Sequence, residues 1–201
     1  MRFMMASSVS GFSCLGFAMA SNNPWDVPTP AAQGDAEPDQ IFMSVGRALS
    51  SWERLEIFLA YLFSRLCEAE TSAAGDAYGA ILAHNTRNDM LKAAARARFR
   101  QEKHHLTRAL DLLNRVRKLA ARRNEIAHGI VLRHQLNKDD EGCYLVPPNY
   151  NINKRGDDWG LQGKYRYTSE QIESFAGHFH NIGEEVRHFV TELPASRRSP
   201  P

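Results

Sequence analysis

Apolar residues recur at spacings of three and four from Ile41 through Val45, Leu49, Trp52, Leu55, Leu59 and Leu62 to Leu66, with Phe42 and Phe63 beside them. That period puts them on one face of a single long helix ending near Glu68. A stripe of this length has to be covered, and helices of similar length cover it best. The chain is therefore expected to be all-α. Asp39 is placed to cap the start of the helix. After a break at Thr71 to Gly75, a second helix is expected from about Ala77 to Phe99, along Ala77, Ile81, Met90, Leu91 and Ala94. Its stripe weakens between His84 and Asn88, where a kink or loop fits. A third helix is expected from about Glu102 to His128, on Leu106, Leu110, Leu113, Val116, Leu119 or Ala120, and Ile126 or Ala127. Gly129 is expected to close it in the left-handed conformation.

Beyond Gly129 the period changes. Ile130-Val131-Leu132 and Cys143-Tyr144-Leu145-Val146 read as two strands of a hairpin turning at Asn137 to Gly142 and ended by Pro147-Pro148. Residues 149–163 read as a loop, and Tyr165-Arg166-Tyr167 as a short edge strand. Thr168 then caps a last helix, with Glu170 and Gln171 in its first turn and a stripe of Ile172, Phe175, Phe179, Ile182, Val186, Phe189 and Val190; Pro194 stops it. The expected fold is an up-and-down four-helix bundle with a small β-hairpin inserted before the last helix. Residues 39–193 form the domain, with the insertion at about 130–167. Residues 194–201 are expected to be a disordered tail. Residues 1–38 are expected to be a disordered leader, because Pro24, Pro28, Pro30, Gly34 and Pro38 leave no period.

Ala18-Met19-Ala20 imitates a signal-peptidase site. The run before it is diluted by serines, so a leader or a start at Met19 is favoured over secretion. It falls short of the roughly 18 apolar residues that span a bilayer. Three widely spaced cysteines, Cys14, Cys67 and Cys143, form neither a disulfide framework nor a zinc motif and suit a reducing cytosol. His104-His105 and the His178/His180 pair lack the spacing that aligns two metal ligands on one helix turn. No metal or other cofactor is expected. There is no Gly-rich phosphate loop and no alternation of strand and helix, which argues against a nucleotide-binding sheet fold.

The net charge is only +2, but it is unevenly spread. Between Arg87 and Arg123 there are 12 lysines and arginines against three acids. Such segregation attracts polyanions, although a basic helix face is also simply well solvated. At the end of that segment stand Arg122-Arg123-Asn124-Glu125-Ile126-Ala127-His128-Gly129. Asn124 and His128 are one turn apart on one helix face. A guanidinium holds phosphate by paired hydrogen bonds, and an imidazole moves protons near neutral pH. These groups suit transphosphorylation without a metal. On spacing alone, a histidine satisfying terminal carbonyls and two surface arginines is the better explanation of the segment. Arg122, Arg96, Arg100, Lys103 and Arg108 are candidate RNA contacts outside the cleft, or a dispersed surface. Glu53 or Glu56 could orient an arginine of the motif helix, or form an ordinary ion pair. Tyr144, Tyr150, Trp159, Tyr165 and Tyr167 are expected to pack the hairpin rather than stack bases.

Arg123, Asn124 and His128 resemble the active-site motif of the HEPN superfamily (higher eukaryotes and prokaryotes nucleotide-binding domains). That motif is an arginine, a polar residue and, after a gap, a histidine near the end of a late bundle helix. The resemblance extends loosely over residues 40–193. It implies a metal-independent endoribonuclease in which Arg123 clamps phosphate, Asn124 orients and His128 is acid or base. It also implies a homodimer with a composite cleft and a role as a toxin or phage-defence effector, with an antitoxin or defence-system partner. The alternatives are a non-catalytic RNA- or nucleotide-binding module of the same fold and a protein-interaction module. The dimer has a physical rationale as well, since one arginine and one histidine per chain are fewer groups than phosphoryl transfer uses.

Overall fold

The computed structural model describes residues 31, 33–135, 141–147 and 166–193, and among them the chain is mostly helical with one two-stranded antiparallel sheet. The elements are α1 (Pro38–Cys67), α2 (Thr71–Gly79), α3 (His84–Arg98), α4 (Lys103–His128), β1 (Ile130–Gln135), β2 (Glu141–Val146) and α5 (Ser169–Glu192). Residues 1–30 and 32 of the expected leader, residues 136–140 of the expected turn, residues 148–165 with the expected loop and Tyr150, Trp159 and Tyr165, and the tail from Pro194 lie outside the described residues.

α1 follows its stripe. Ile41, Trp52, Leu55, Leu59, Leu62 and Leu66 are buried, whereas Phe42 is 58% exposed. Pro38, not Asp39, opens the helix. Its fixed φ suits the first turn, where its missing N–H is not needed. Asp39 falls inside that turn, where a carboxylate favours the helix dipole. α5 also follows its pattern. Ile172, Phe175, Phe179, Ile182, Val186 and Phe189 are buried, and Thr168 and Gln171 form a reciprocal capping box.

The expected second helix is two helices. The chain reverses at residues 80–83, so five helices rather than four are described. Ser64 bonds Thr71 and Tyr78 bonds Glu56, so α2 runs antiparallel to α1. His84 and Arg87 meet Glu56, and Arg98 meets Glu68, so α3 runs parallel to α1. Asn88 Nδ2 donates to the Leu113 carbonyl at 2.9 Å, and Arg115 pairs with Glu185. α4 is therefore antiparallel to both α3 and α5. Ser44 bonds Glu173 and Arg65 bonds the Leu193 carbonyl, making α1 and α5 a parallel pair along their whole length. The extra reversal supplied by α2 is what makes that parallel pairing reachable.

β2 is the inner strand. β1 pairs with it in the register Ile130↔Val146 to Gln135↔Glu141, and Asp35 and Tyr167 bridge its other edge at Cys143 and Leu145. Asp35 also accepts from the Ser169 backbone N–H at 2.7 Å, so described structure reaches back past residue 39 into the expected leader. Tyr144 and Tyr167 are fully buried, in accord with packing rather than stacking of bases. Gly142, at φ +155°, passes so close to Gly34 that a Cβ would stand 2.5 Å from its Cα.

Gly129 is not left-handed. It is extended, at φ −67° and ψ 152°, and carries α4 directly into β1. Its lack of a side chain serves close approach, since a Cβ would lie 2.5 Å from Leu145 Cγ. Gly129→Ala is expected to lower stability by about 1–3 kcal/mol through overpacking. In denaturant titrations, Leu145→Ala should recover part of that loss in the double variant. A fully additive double variant would show that the Leu145 contact is not the cause.

Candidate functional site

A polar cleft of about 410 Å³ opens between the middle of α1, the start of α3 and the last third of α4. α1 contributes Trp52, Glu53 and Glu56. α3 contributes His84 and Arg87, and α4 contributes Arg117, Arg123 and Asn124 around Ala120 and Ala121. The two alanines keep the floor low where longer side chains would fill it.

The cleft rests on one buried carboxylate. Glu56 accepts from the Tyr78 hydroxyl at 2.8 Å, from His84 Nδ1 at 3.0 Å and from Arg87 Nη1 at 3.1 Å. Burial pushes its pKa up. The hydrogen bonds of His84 and Tyr78 and the charges of His84 and Arg87 outweigh this and hold the carboxyl below its ordinary value. Burial, the charge of Glu56 and the hydrogen bond to it push the Tyr78 hydroxyl far up, so it stays a donor. Arg87 also donates through Nε to the Ile81 carbonyl at 2.5 Å and lies over the Tyr78 ring. One acid on α1 thus pins the end of α2, the linker and the start of α3.

Two of the three motif residues expected from the sequence meet here. Arg123 lies 3.6 Å from Glu53 and donates to Asn124 Oδ1 at 3.2 Å, with its guanidinium 6.0 Å from the Trp52 ring centre. Glu53 is therefore the acid that touches the motif arginine, whereas Glu56 serves α2 and α3. Trp52 is core, 2% exposed, and also a wall of the cleft. His128 does not line the cleft. It is exposed in the last turn of α4, one turn or about 6 Å along the helix from Asn124.

The outlying cations divide. Arg122 points toward the hairpin side, 3.0 Å from Glu125 and donating to the Tyr167 hydroxyl at 3.1 Å, with its side chain 12% exposed. Tyr167 in turn donates to Glu125 at 2.5 Å. These contacts fasten Tyr167, beside the hairpin, to α4. Arg108 pairs with Glu192 and covers Phe189, joining α4 to α5. Arg96, Arg100 and Lys103 are exposed around the α3–α4 turn, with Arg96 about 18 Å along α3 from His84. Sequence reasoning missed Arg117, which lines the cleft, and the buried Lys92 on α3. Burial and the charges of Arg117 and Arg96 lower the pKa of Lys92, despite the opposing charge of Asp89. His84 and Arg87 were also missed; the weak stripe at His84 to Asn88 was the available signal.

Among the described residues no three His, Cys, Asp or Glu side chains gather as a metal-holding group, and no helix is long and apolar enough to cross a membrane. The arrangement can bind an anion with guanidinium groups and move a proton with the imidazole of its lining, His84. No family model, no curated protein and no solved structure matches the chain.

Proposed function

We propose that this protein is an endoribonuclease acting without a metal, with the HEPN-type motif as its site. The 2′-hydroxyl attacks the adjacent phosphate, Arg123 stabilises the charge gathering on the phosphate oxygens, Asn124 orients, and His128 transfers a proton. In this reading α1, α3, α4 and α5 are the four-helix framework of the family and α2 is an added turn. We further propose a cytosolic homodimer in which a two-fold axis brings the exposed His128 rings of two copies toward one cleft. A toxin or defence role, with its partner, follows from the resemblance.

The observation that carries the proposal is the convergence of Arg123 and Asn124 on a cleft shared with Arg87 and Arg117, with an exposed histidine one turn away. The guanidinium groups of Arg117 and Arg123 at one small concavity match the spread negative charge of a phosphodiester, while Arg87 is engaged by Glu56 and the Ile81 carbonyl. Purified protein incubated with mixed RNA in EDTA is expected to produce fragments ending in 2′,3′-cyclic phosphate. Activity that EDTA abolishes, or RNA that is bound in low salt but left intact, would sink the proposal; the second result is what a binding module gives.

A further inference from the structure

We propose that His84 is a second proton-transfer group of this cleft, taking the proton from the attacking 2′-hydroxyl; the assignment rests on the ribonuclease reading above. His84 lines the same cleft as Arg123 and Asn124 but comes from a different helix. Its Nδ1 lies 3.0 Å from Glu56 Oε1. Glu56 is held ionised by its partners and accepts from Nδ1, so in the neutral form of the ring Nδ1 carries the proton and Nε2 keeps a lone pair. Glu56 thus acts as a positioning residue that selects the tautomer.

The second observation is Nε2 itself, which is covered by protein and has no hydrogen-bond partner. A covered acceptor without a donor is unfavourable, whereas the other groups on Glu56 are engaged. A ribose hydroxyl entering the cleft is a donor of the right kind. The His84 ring packs edge-on against Trp52 at 5.2 Å between centres, and the Arg123 guanidinium lies over the same indole. One rigid ring therefore sets the base and the phosphate clamp relative to each other. The His84 side chain is 18% exposed and lines the cleft, and entry of RNA has to uncover Nε2 for the transfer.

The step balances with these groups alone. The 2′-oxygen bonds to phosphorus as its proton passes to His84 Nε2. The bond from phosphorus to the 5′-oxygen breaks, and that oxygen takes a proton from His128. The products are a 2′,3′-cyclic phosphate and a 5′-hydroxyl, and no oxidant, reductant or water is consumed.

A histidine that merely pins α3 to α1 is replaceable by an amide that still donates to Glu56, whereas a base is not, and this separates the two roles. Single-turnover cleavage in EDTA would be measured on an oligoribonucleotide and on its analogue with sulfur as the bridging 5′-atom. Sulfur departs without protonation. His128→Ala is therefore expected to regain most of its rate on the sulfur substrate. His84→Asn, whose amide still donates to Glu56, is expected to remain slowed by about 10²- to 10⁴-fold on both substrates. His84→Gln is read in parallel, so a folding defect in one amide variant leaves the other, with thermal melts alongside. Wild-type rates in the folded His84 variant, or its recovery on the sulfur substrate, overturn the assignment while leaving the ribonuclease reading intact. A wild-type protein that cuts neither substrate overturns both.

Discussion

Arg123→Ala is expected to slow RNA cleavage by about 10²- to 10³-fold, equivalent to roughly 3–4 kcal/mol of transition-state stabilisation, with little change in melting temperature. The charge on the phosphate oxygens grows as the 2′-oxygen closes on phosphorus, so a guanidinium facing them helps most at the transition state. Among the described residues Arg123 meets the exposed carboxylate of Glu53, the amide of Asn124 and the indole of Trp52. Breaking a pair of that exposure costs little stability. Arg123→Lys should recover only part of the rate, because an ammonium lacks the planar fork. Arg122→Ala is the contrasting neighbour. It breaks the partly buried contacts to Glu125 and Tyr167 and should lower the melting temperature while leaving the rate constant of the folded enzyme near wild type. If Arg122→Ala abolishes cleavage and Arg123→Ala does not, the motif has been assigned to the wrong side chain.

Glu56→Ala is expected to destabilise the fold by about 3–5 kcal/mol, the cost of removing one partner from a buried charge network. His84 and Arg87, both largely covered, would lose their carboxylate together, and Tyr78 its acceptor. Urea unfolding at neutral pH measures this as a lower midpoint at constant slope. The pH dependence has a definite sign. The folded-state pKa of Glu56 lies below the ordinary carboxylate value near 4.5, so its contribution is fully present above that value. It is lost as the pH falls through the lowered folded value. Glu56→Gln should therefore approach wild-type stability at strongly acid pH and differ most at neutral pH. Glu53→Ala, an exposed substitution one turn earlier, should change stability by less than about 1 kcal/mol. Equal effects of the two substitutions would show that Glu56 is not the anchor of α2 and α3.

These two residues also mark how far the sequence could be read. The placement of Arg123, Asn124 and His128 on one helix was legible because helical spacing is a local property. The stripes of α1 and α5 were legible for the same reason, as was Thr168 with Gln171 three residues on. The division of the second helix was not. Ala80-Ile81-Leu82-Ala83 contains neither proline nor glycine, and α3 starts without a side-chain cap. The reversal is held instead by Glu56, at least 22 residues from each of its partners in sequence. Gly129 is a parallel case: its position at the helix end was readable, but its extended conformation comes from the approach of Leu145 across the hairpin.

The sequence by itself determined the helical period, the two strands and the helical spacing of Arg123, Asn124 and His128, since each depends on neighbours a few positions away. Only the tertiary structure decided which charges face the cleft. Arg122 and Arg123 are adjacent in the chain, yet successive residues on a helix point about 100° apart. One therefore fastens the hairpin segment and the other opens onto the site. The partners that separate their roles, Tyr167 and Glu53, are brought to α4 by the fold.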